Sequence, residues 1–203
     1  MSGHVRIIGG AWRRLQLPVA PVEGLRPTPD RVRETVFNWL GQDCTGWQVL
    51  DLFSGTGGLG FEAASRGATR VQFVEQHRTV AKQLQDNARY LLDRWPAQAG
   101  TAPQIKVHQA DVLASLPLLA QQAPAGMDLI CLDPPFRSPL LHQALPLLKT
   151  LLKPDGLLYV EWHAPLFDDA PALAVALGVP AIEPLRHLKA GQVHAHLFAP
   201  ASV

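Results

Sequence analysis

Residues 129–138 read LICLDPPFRS. An apolar run ends there in a carboxylate, Asp133, followed by Pro134, Pro135 and the aromatic Phe136. Proline has no N–H to give to a ladder and holds its own φ, so a buried strand must stop at this point and leave by a rigid corner. The corner fixes two acceptors, the Asp133 carboxylate and the Pro134 carbonyl, next to an aromatic face. At the tip of a buried strand, such a corner is placed to meet the reacting end of a bound ligand.

A second chemical stretch lies upstream, VLDLFSGTGGLG at 49–60. Gly55, Gly57 and Gly60 satisfy G-x-G-x-x-G directly after an apolar run, and Glu75 ends the next run. Glycines let the backbone approach a ligand, and a helix N-terminus offers free N–H groups. A carboxylate at the second strand's tip accepts from two ribose hydroxyls. The pattern fits a nicotinamide dinucleotide, which would make the chain a dehydrogenase. Asp51 opposes that reading, because it puts an anion at the strand end where a pyrophosphate would lie. It favours a cationic nucleoside such as S-adenosylmethionine. Asp111, read as the tip of the third strand, is placed to accept from an adenine amino group, with the Val112 N–H facing the ring.

The elements that must position these residues alternate regularly. Residues 5–17 read as a hairpin around Gly9-Gly10, followed by a proline-punctuated connector. A helix then starts with Thr28 as N-cap and Pro29 as first residue and stops at Gly41. Its apolar stripe is Val32, Val36 and Trp39 or Leu40, with Arg31, Arg33 and Glu34 off the stripe. Five strands follow, at 47–53, 70–75, 105–111, 127–133 and 156–162. They are separated by helical stretches at 58–67, 78–95, 112–120 and 140–152, the last kinked or shortened by Pro146. A helix near 170–178 and a closing antiparallel hairpin at 182–198, hinged at Gly191, complete the chain. Such alternation implies a mostly parallel sheet covered on both faces.

The chain has 203 residues, 47% hydrophobic and 17% charged, with a net charge of +1. A full core is therefore expected and disorder is not. Residues 1–40 hold six arginines against Glu23, Asp30 and Glu34, a local net of +3 in an otherwise acidic chain. Cys44 and Cys131 lack metal spacing and read as buried thiols of a reducing compartment. No signal core and no membrane-length apolar run is visible, so a cytoplasmic protein is expected. His187, His194 and His196 cluster on the closing hairpin, but no carboxylate or cysteine completes a site, and no metal is expected.

D-P-P-F after an apolar strand, downstream of DLFSGTGGLG, resembles the signature of class I methyltransferases acting on amino groups of nucleobases. RIIGGAWRRLQLP, LRPTPDRVRETVFNWL, VLDLFSGTGGLGFEAASRGA, DPPF and AGQVHAHLF occur in the order of one bacterial family. The chain resembles that family, the RsmD type of small-subunit ribosomal RNA guanine-N2 methyltransferases, over nearly its whole length. The resemblance implies an α/β, Rossmann-like class I fold with a seven-stranded mostly parallel sheet and a C-terminal antiparallel hairpin. It implies a basic extension at 1–45 and a methyltransferase domain at 46–203. The implied reaction moves a methyl from S-adenosylmethionine to N2 of guanine 966 in 16S rRNA, in an assembling subunit, by a monomer. Adenine-N6 and cytosine-N4 nucleic-acid methyltransferases share the D-P-P-F chemistry, but 203 residues leave no room for a separate target-recognition domain. The implied catalytic residues are Asp133, Pro134, Pro135 and Phe136. The cofactor set is Asp51, Phe53, Ser54, Gly55, Thr56, Gly57, Gly58, Glu75, Gln76, Asp111, Val112 and Thr28. RNA contact falls to Arg6, Arg13, Arg14, Arg26, Arg31 and Arg33, with Trp12 as a stacking partner and the segment around Arg26, Thr28 and Arg31 as a lid.

Overall fold

The computed structural model describes residues 3–135 and 138–201. Its strands make a seven-stranded, mostly parallel sheet plus a separate two-stranded ribbon. The chain divides into two compact units at residues 110/111.

The first unit opens with the ribbon, β1 (His4–Arg6) antiparallel to β2 (Gln16–Pro18), with His4 opposite Pro18 and Arg6 opposite Gln16. Helix α1 (Asp30–Trp39) follows. Next come β3 (Gln48–Leu52), α2 (Gly58–Ser65), β4 (Arg70–Glu75), α3 (Arg78–Leu92) and β5 (Gln104–Gln109). The three strands are parallel in the order β5-β4-β3. Val49, Leu50, Leu52, Val71, Phe73 and Val74 are fully buried, which is the near-continuous apolar run a strand covered on both faces requires. β5 ends the order and is only half covered.

The second unit carries α4 (Val112–Gln122), β6 (Met127–Leu132), α5 (Leu140–Leu148), β7 (Leu152–Trp162), α6 (Ala170–Leu177), β8 (Ile182–Ala190) and β9 (Val193–Pro200). The order is β6-β7-β9-β8, with β6 and β7 parallel and the other pairs antiparallel. Gly191 turns the last hairpin at φ 64°, as expected.

Several boundaries differ from the sequence reading, each for a local reason. Helix α1 starts one residue late. The Pro29 carbonyl accepts the first helical bonds, from Val32 and Arg33, while the Thr28 carbonyl takes the Arg33 Nε. Thr28 is therefore not the cap. Helix α5 runs through Pro146 but stops two residues later, and β7 begins at Leu152 rather than 156. β5 ends at Gln109, which leaves Asp111 outside the strand as the N-cap of α4.

Candidate functional site

β3 leads directly into the glycine loop, and the local sequence explains its shape. Ser54 stitches the exit of β3 to β4: its N–H donates to the Val74 carbonyl at 3.0 Å and its hydroxyl accepts the Val74 N–H at 2.9 Å. The hydroxyl proton goes to the Asp51 carbonyl at 2.6 Å. Ser54 thus has no donor left for a ligand. Its N–H and hydroxyl are committed to fastening the loop, and its carbonyl accepts the Gly57 N–H at 2.7 Å. Phe53 before it sits at φ +60°, a conformation an aromatic residue adopts only when its surroundings impose it. Gly57 is the N-cap of α2 at φ 73°. A Cβ there would lie 2.6 Å from Leu84 and 2.7 Å from Phe61, so only glycine fits.

Two carboxylates organise the loop. Asp51, 4% exposed, accepts the Gly60 N–H at 3.0 Å, so a buried anion already occupies the open end of α2. Glu75 accepts the Gly55 N–H at 3.0 Å with one oxygen and the His77 N–H at 2.7 Å with the other. A carboxylate offers about four lone-pair sites, so each Glu75 oxygen retains capacity for a further donor. Gly55, Thr56 and Phe53 are half-buried, Gly58 is buried, and Gln76 is exposed. A small cleft in this unit is lined by Gly55, Thr56, Leu25, Val80 and Gln83. Leu25 of the connector lies close against Gly55, 3.3 Å from where a Cβ would be.

In the second unit, Asp111 is exposed and one carboxylate oxygen caps α4 by accepting the Ala114 N–H at 3.0 Å. Val112, the first helical residue, is buried. Asp133 leaves β6 half-buried, Pro134 is buried and Pro135 exposed. Phe136 lies outside the described residues. Tyr159 on β7 donates to Glu161 at 2.8 Å. Burial, then the Glu161 and Asp133 charges, push the Tyr159 phenol well above its ordinary range, so it stays a protonated donor. Neither Tyr159 nor Glu161 had an assigned role in the sequence reading. Their alternation on one strand face is the signal that links them.

The basic extension is more ordered than its composition suggests. Arg13, Arg14, Arg26 and Arg31 are exposed, and so is Arg6, which pairs with Asp30 at 2.8 Å. Arg33 is not: it is 0% exposed. Its guanidinium donates to the Thr28 and Arg6 carbonyls, to Asp30 at 2.6 Å and to Glu62 at 3.4 Å. The expected RNA contact at Arg33 is therefore corrected, because the side chain is committed inside the fold. Trp12 is likewise 1% exposed and packs edge-on to Trp95 at 5.1 Å, so it is core and not a stacking platform. Glu62 is the residue the sequence reading passed over. A single acid in the small and apolar helix GLGFEAAS was the available signal, since a charge on such a face must find partners.

His187, His194 and His196 bring ligand atoms within 4.8 Å of one another. His196 accepts the Leu166 N–H at 3.1 Å through Nε2, which leaves Nδ1 protonated and turned to the Val160 carbonyl. His187 and His194 share a hydrogen bond of 2.9 Å. Burial lowers the His196 pKa to about 4.

The sheet topology and the glycine loop define a Rossmann-like fold of the class I methyltransferase type. The family described as Conserved hypothetical protein 95 matches residues 5–197, and the chain belongs to that family. It is 46% identical over 165 residues to the ribosomal RNA small subunit methyltransferase D of Haemophilus influenzae, covering 79% of each chain. It is 41% identical over 162 residues to the Escherichia coli protein of the same name, covering 79% of this chain and 75% of that one. The solved Escherichia coli protein yhhF superposes with a TM-score of 0.73 at 35% identity, covering 99% of this chain and 100% of that one. Among the described residues, no helix is long and apolar enough to cross a membrane.

Proposed function

We propose that the protein transfers a methyl group from S-adenosylmethionine to the exocyclic N2 of guanine 966 in the RNA of the small ribosomal subunit. The observation that carries the choice of cofactor is the head of α2. In a dinucleotide site the N–H groups there bind pyrophosphate. Here Asp51 has taken the Gly60 N–H, and a phosphate would meet a buried negative charge. The ammonium and sulfonium of S-adenosylmethionine meet an attractive one. Glu75, with lone pairs in reserve, suits ribose hydroxyls, and the open oxygen of Asp111 suits an adenine amino group. Ribose and adenine occur in NAD as well, so the choice between the two rests on Asp51. The relatives' name, ribosomal RNA small subunit methyltransferase D, supports ribosomal RNA as the substrate. Guanine N2 at position 966 rests on the likeness of the D-P-P-F corner and the arginine-rich opening to that family.

When bound, the cofactor supplies an electrophilic methyl. The protein's part is to orient the amine. Asp133 accepts one N–H and the Pro134 carbonyl the other, with Pro135 keeping the corner rigid, so the lone pair is aimed and the positive charge growing on nitrogen meets a carboxylate. Phe136 gives the base a stacking face. A paired guanine does not expose this geometry, so the base must be swung out or already unpaired. Residues 1–45 act as the RNA-contacting extension through Arg6, Arg13, Arg14, Arg26 and Arg31, and the connector with Thr28 lids the cofactor. The enzyme works as a metal-free monomer in the cytoplasm, on a partly assembled subunit whose proteins complete the recognition.

The test is to incubate the protein with labelled cofactor and RNA or small subunits from cells lacking it, then map the product by nuclease digestion and mass spectrometry. N2-methylguanosine at a single position is expected. Asp133→Ala should lower transfer by at least a hundredfold while S-adenosylhomocysteine binding stays within a few-fold. Label on another base, or NADH binding in place of methyl transfer, would overturn the reading.

A further inference from the structure

We infer that Glu62 and Arg33 are positioning residues that set the register between the RNA-contacting hairpin and the cofactor loop. The inference rests on the function proposed above. Glu62 projects from α2, one turn (roughly 6 Å of rise) beyond Gly58, where the cofactor loop becomes helix. Its carboxylate is fully buried. One oxygen accepts the Gly9 N–H at 2.7 Å and the Arg66 Nε at 2.9 Å, and the other accepts the Ile8 N–H at 2.8 Å and the Arg33 Nη1 at 3.4 Å. Ile8 and Gly9 open the hairpin loop that carries Arg13 and Arg14. Ser65, at the far end of the same helix, donates to the Gly9 carbonyl at 2.6 Å and accepts the Trp12 N–H at 2.9 Å, while its carbonyl takes the Ala11 N–H. The loop is therefore fastened to the C-terminal half of α2.

Arg33 ties in the remaining segments. One guanidinium reaches the β1 carbonyl of Arg6, the connector carbonyl of Thr28, Asp30 of α1 and Glu62 of α2. Its Cδ lies 3.1 Å from where a Cβ on Gly58 would be, so it also packs on the head of the helix. Buried charges are a poor device for stability, since apolar side chains of the same volume often serve as well. What they add is direction. Donors from the hairpin, α1 and the C-terminal end of α2 converge on one carboxylate in a single geometry. A hairpin seated this way holds its exposed arginines at a set distance from the loop at Ser54–Gly58.

The experiment uses Glu62→Gln and Arg33→Lys in the full chain, with Leu91→Ala, a buried residue of α3 outside the network, as a control of comparable destabilisation. Glutamine keeps the volume of Glu62 but turns an amide N–H toward the Ile8 or Gly9 N–H. Lysine keeps the charge of Arg33 but cannot span four acceptors. Methyl transfer to small subunits, the binding of S-adenosylhomocysteine and the melting temperature are measured for each. The expected result is an RNA KM raised at least tenfold in both variants, S-adenosylhomocysteine affinity within twofold of wild type, and an RNA KM in Leu91→Ala within twofold. Amide exchange of residues 8–12 should also accelerate at least tenfold in Arg33→Lys, a readout that stands even if Glu62→Gln does not fold. An RNA KM in Arg33→Lys that merely tracks Leu91→Ala overturns the inference alone. A wild-type protein that transfers no methyl to RNA overturns the function and the inference together.

Discussion

Replacing Gly60 by alanine tests the packing of α2 on the sheet. A Cβ at position 60 would lie 2.4 Å from Phe73 Cε1, 2.7 Å from its Cζ and 3.0 Å from the Asp51 carboxylate. The Phe73 ring cannot retreat, because it is fully buried and backed by Phe61 at 4.6 Å between centroids. The helix must lift instead, which stretches the 3.0 Å bond from Gly60 to Asp51. Overpacking of this kind costs about 1–3 kcal/mol, and weakening a hydrogen bond to a buried carboxylate adds about 1–3 kcal/mol. Against this, alanine gains about 1 kcal/mol in helix propensity over glycine. The net is a loss of roughly 1–5 kcal/mol, or about 2–20 °C in melting temperature for a chain of this length. Calorimetry measures the melting temperature, and titration of S-adenosylhomocysteine should show weaker binding as Asp51 is displaced. The sign is decisive. If Gly60 mattered only for backbone freedom, alanine would leave the melting temperature unchanged or raise it, and the packing argument would be refuted.

Arg13→Ala and Arg14→Ala remove exposed charges of the hairpin loop, so RNA binding should weaken and the log–log salt slope should flatten by about 0.7 for each lost contact with single-stranded phosphate. Melting and S-adenosylhomocysteine binding should not change, and an unaltered salt slope would remove these residues from the RNA surface. His196 is neutral in the fold with its pKa lowered to about 4, below its ordinary 6.5. Between those values the unfolded chain takes up a proton that the native one refuses, so stability falls as pH drops, by about 1 kcal/mol for this group between pH 7.5 and 5.5. Urea unfolding at the two pH values checks this, and a His196→Gln variant with an undiminished slope would contradict it.

The reading of the chain as alternating strands and helices followed from composition and spacing. The runs WQVLDLF and MDLICLD are too apolar to be anything but covered strands, and Pro134-Pro135 can only end one. The glycine spacing marked the loop, and Asp51 in the strand before it already argued against a phosphate ligand. These features are local, so they are legible one residue at a time. What the sequence could not sort was which polar side chains face outward. Arg31 and Arg33 look alike in RVRE, yet one is exposed and the other sealed, because Glu62, 29 residues later, comes to lie beside the second. Trp12 reads as a stacking residue among arginines until Trp95 closes on it. Nothing in the string SGTGG shows that the Ser54 hydroxyl is taken up by the backbone of Val74, 20 residues later. The order of elements, the rigid corner after β6 and the charge beside the glycines are legible in the amino-acid string, since covalent geometry and apolar periodicity act over short range. How α2 is seated and which arginines stay exposed came only from the folded chain, because burial and pairing depend on partners that are distant in sequence.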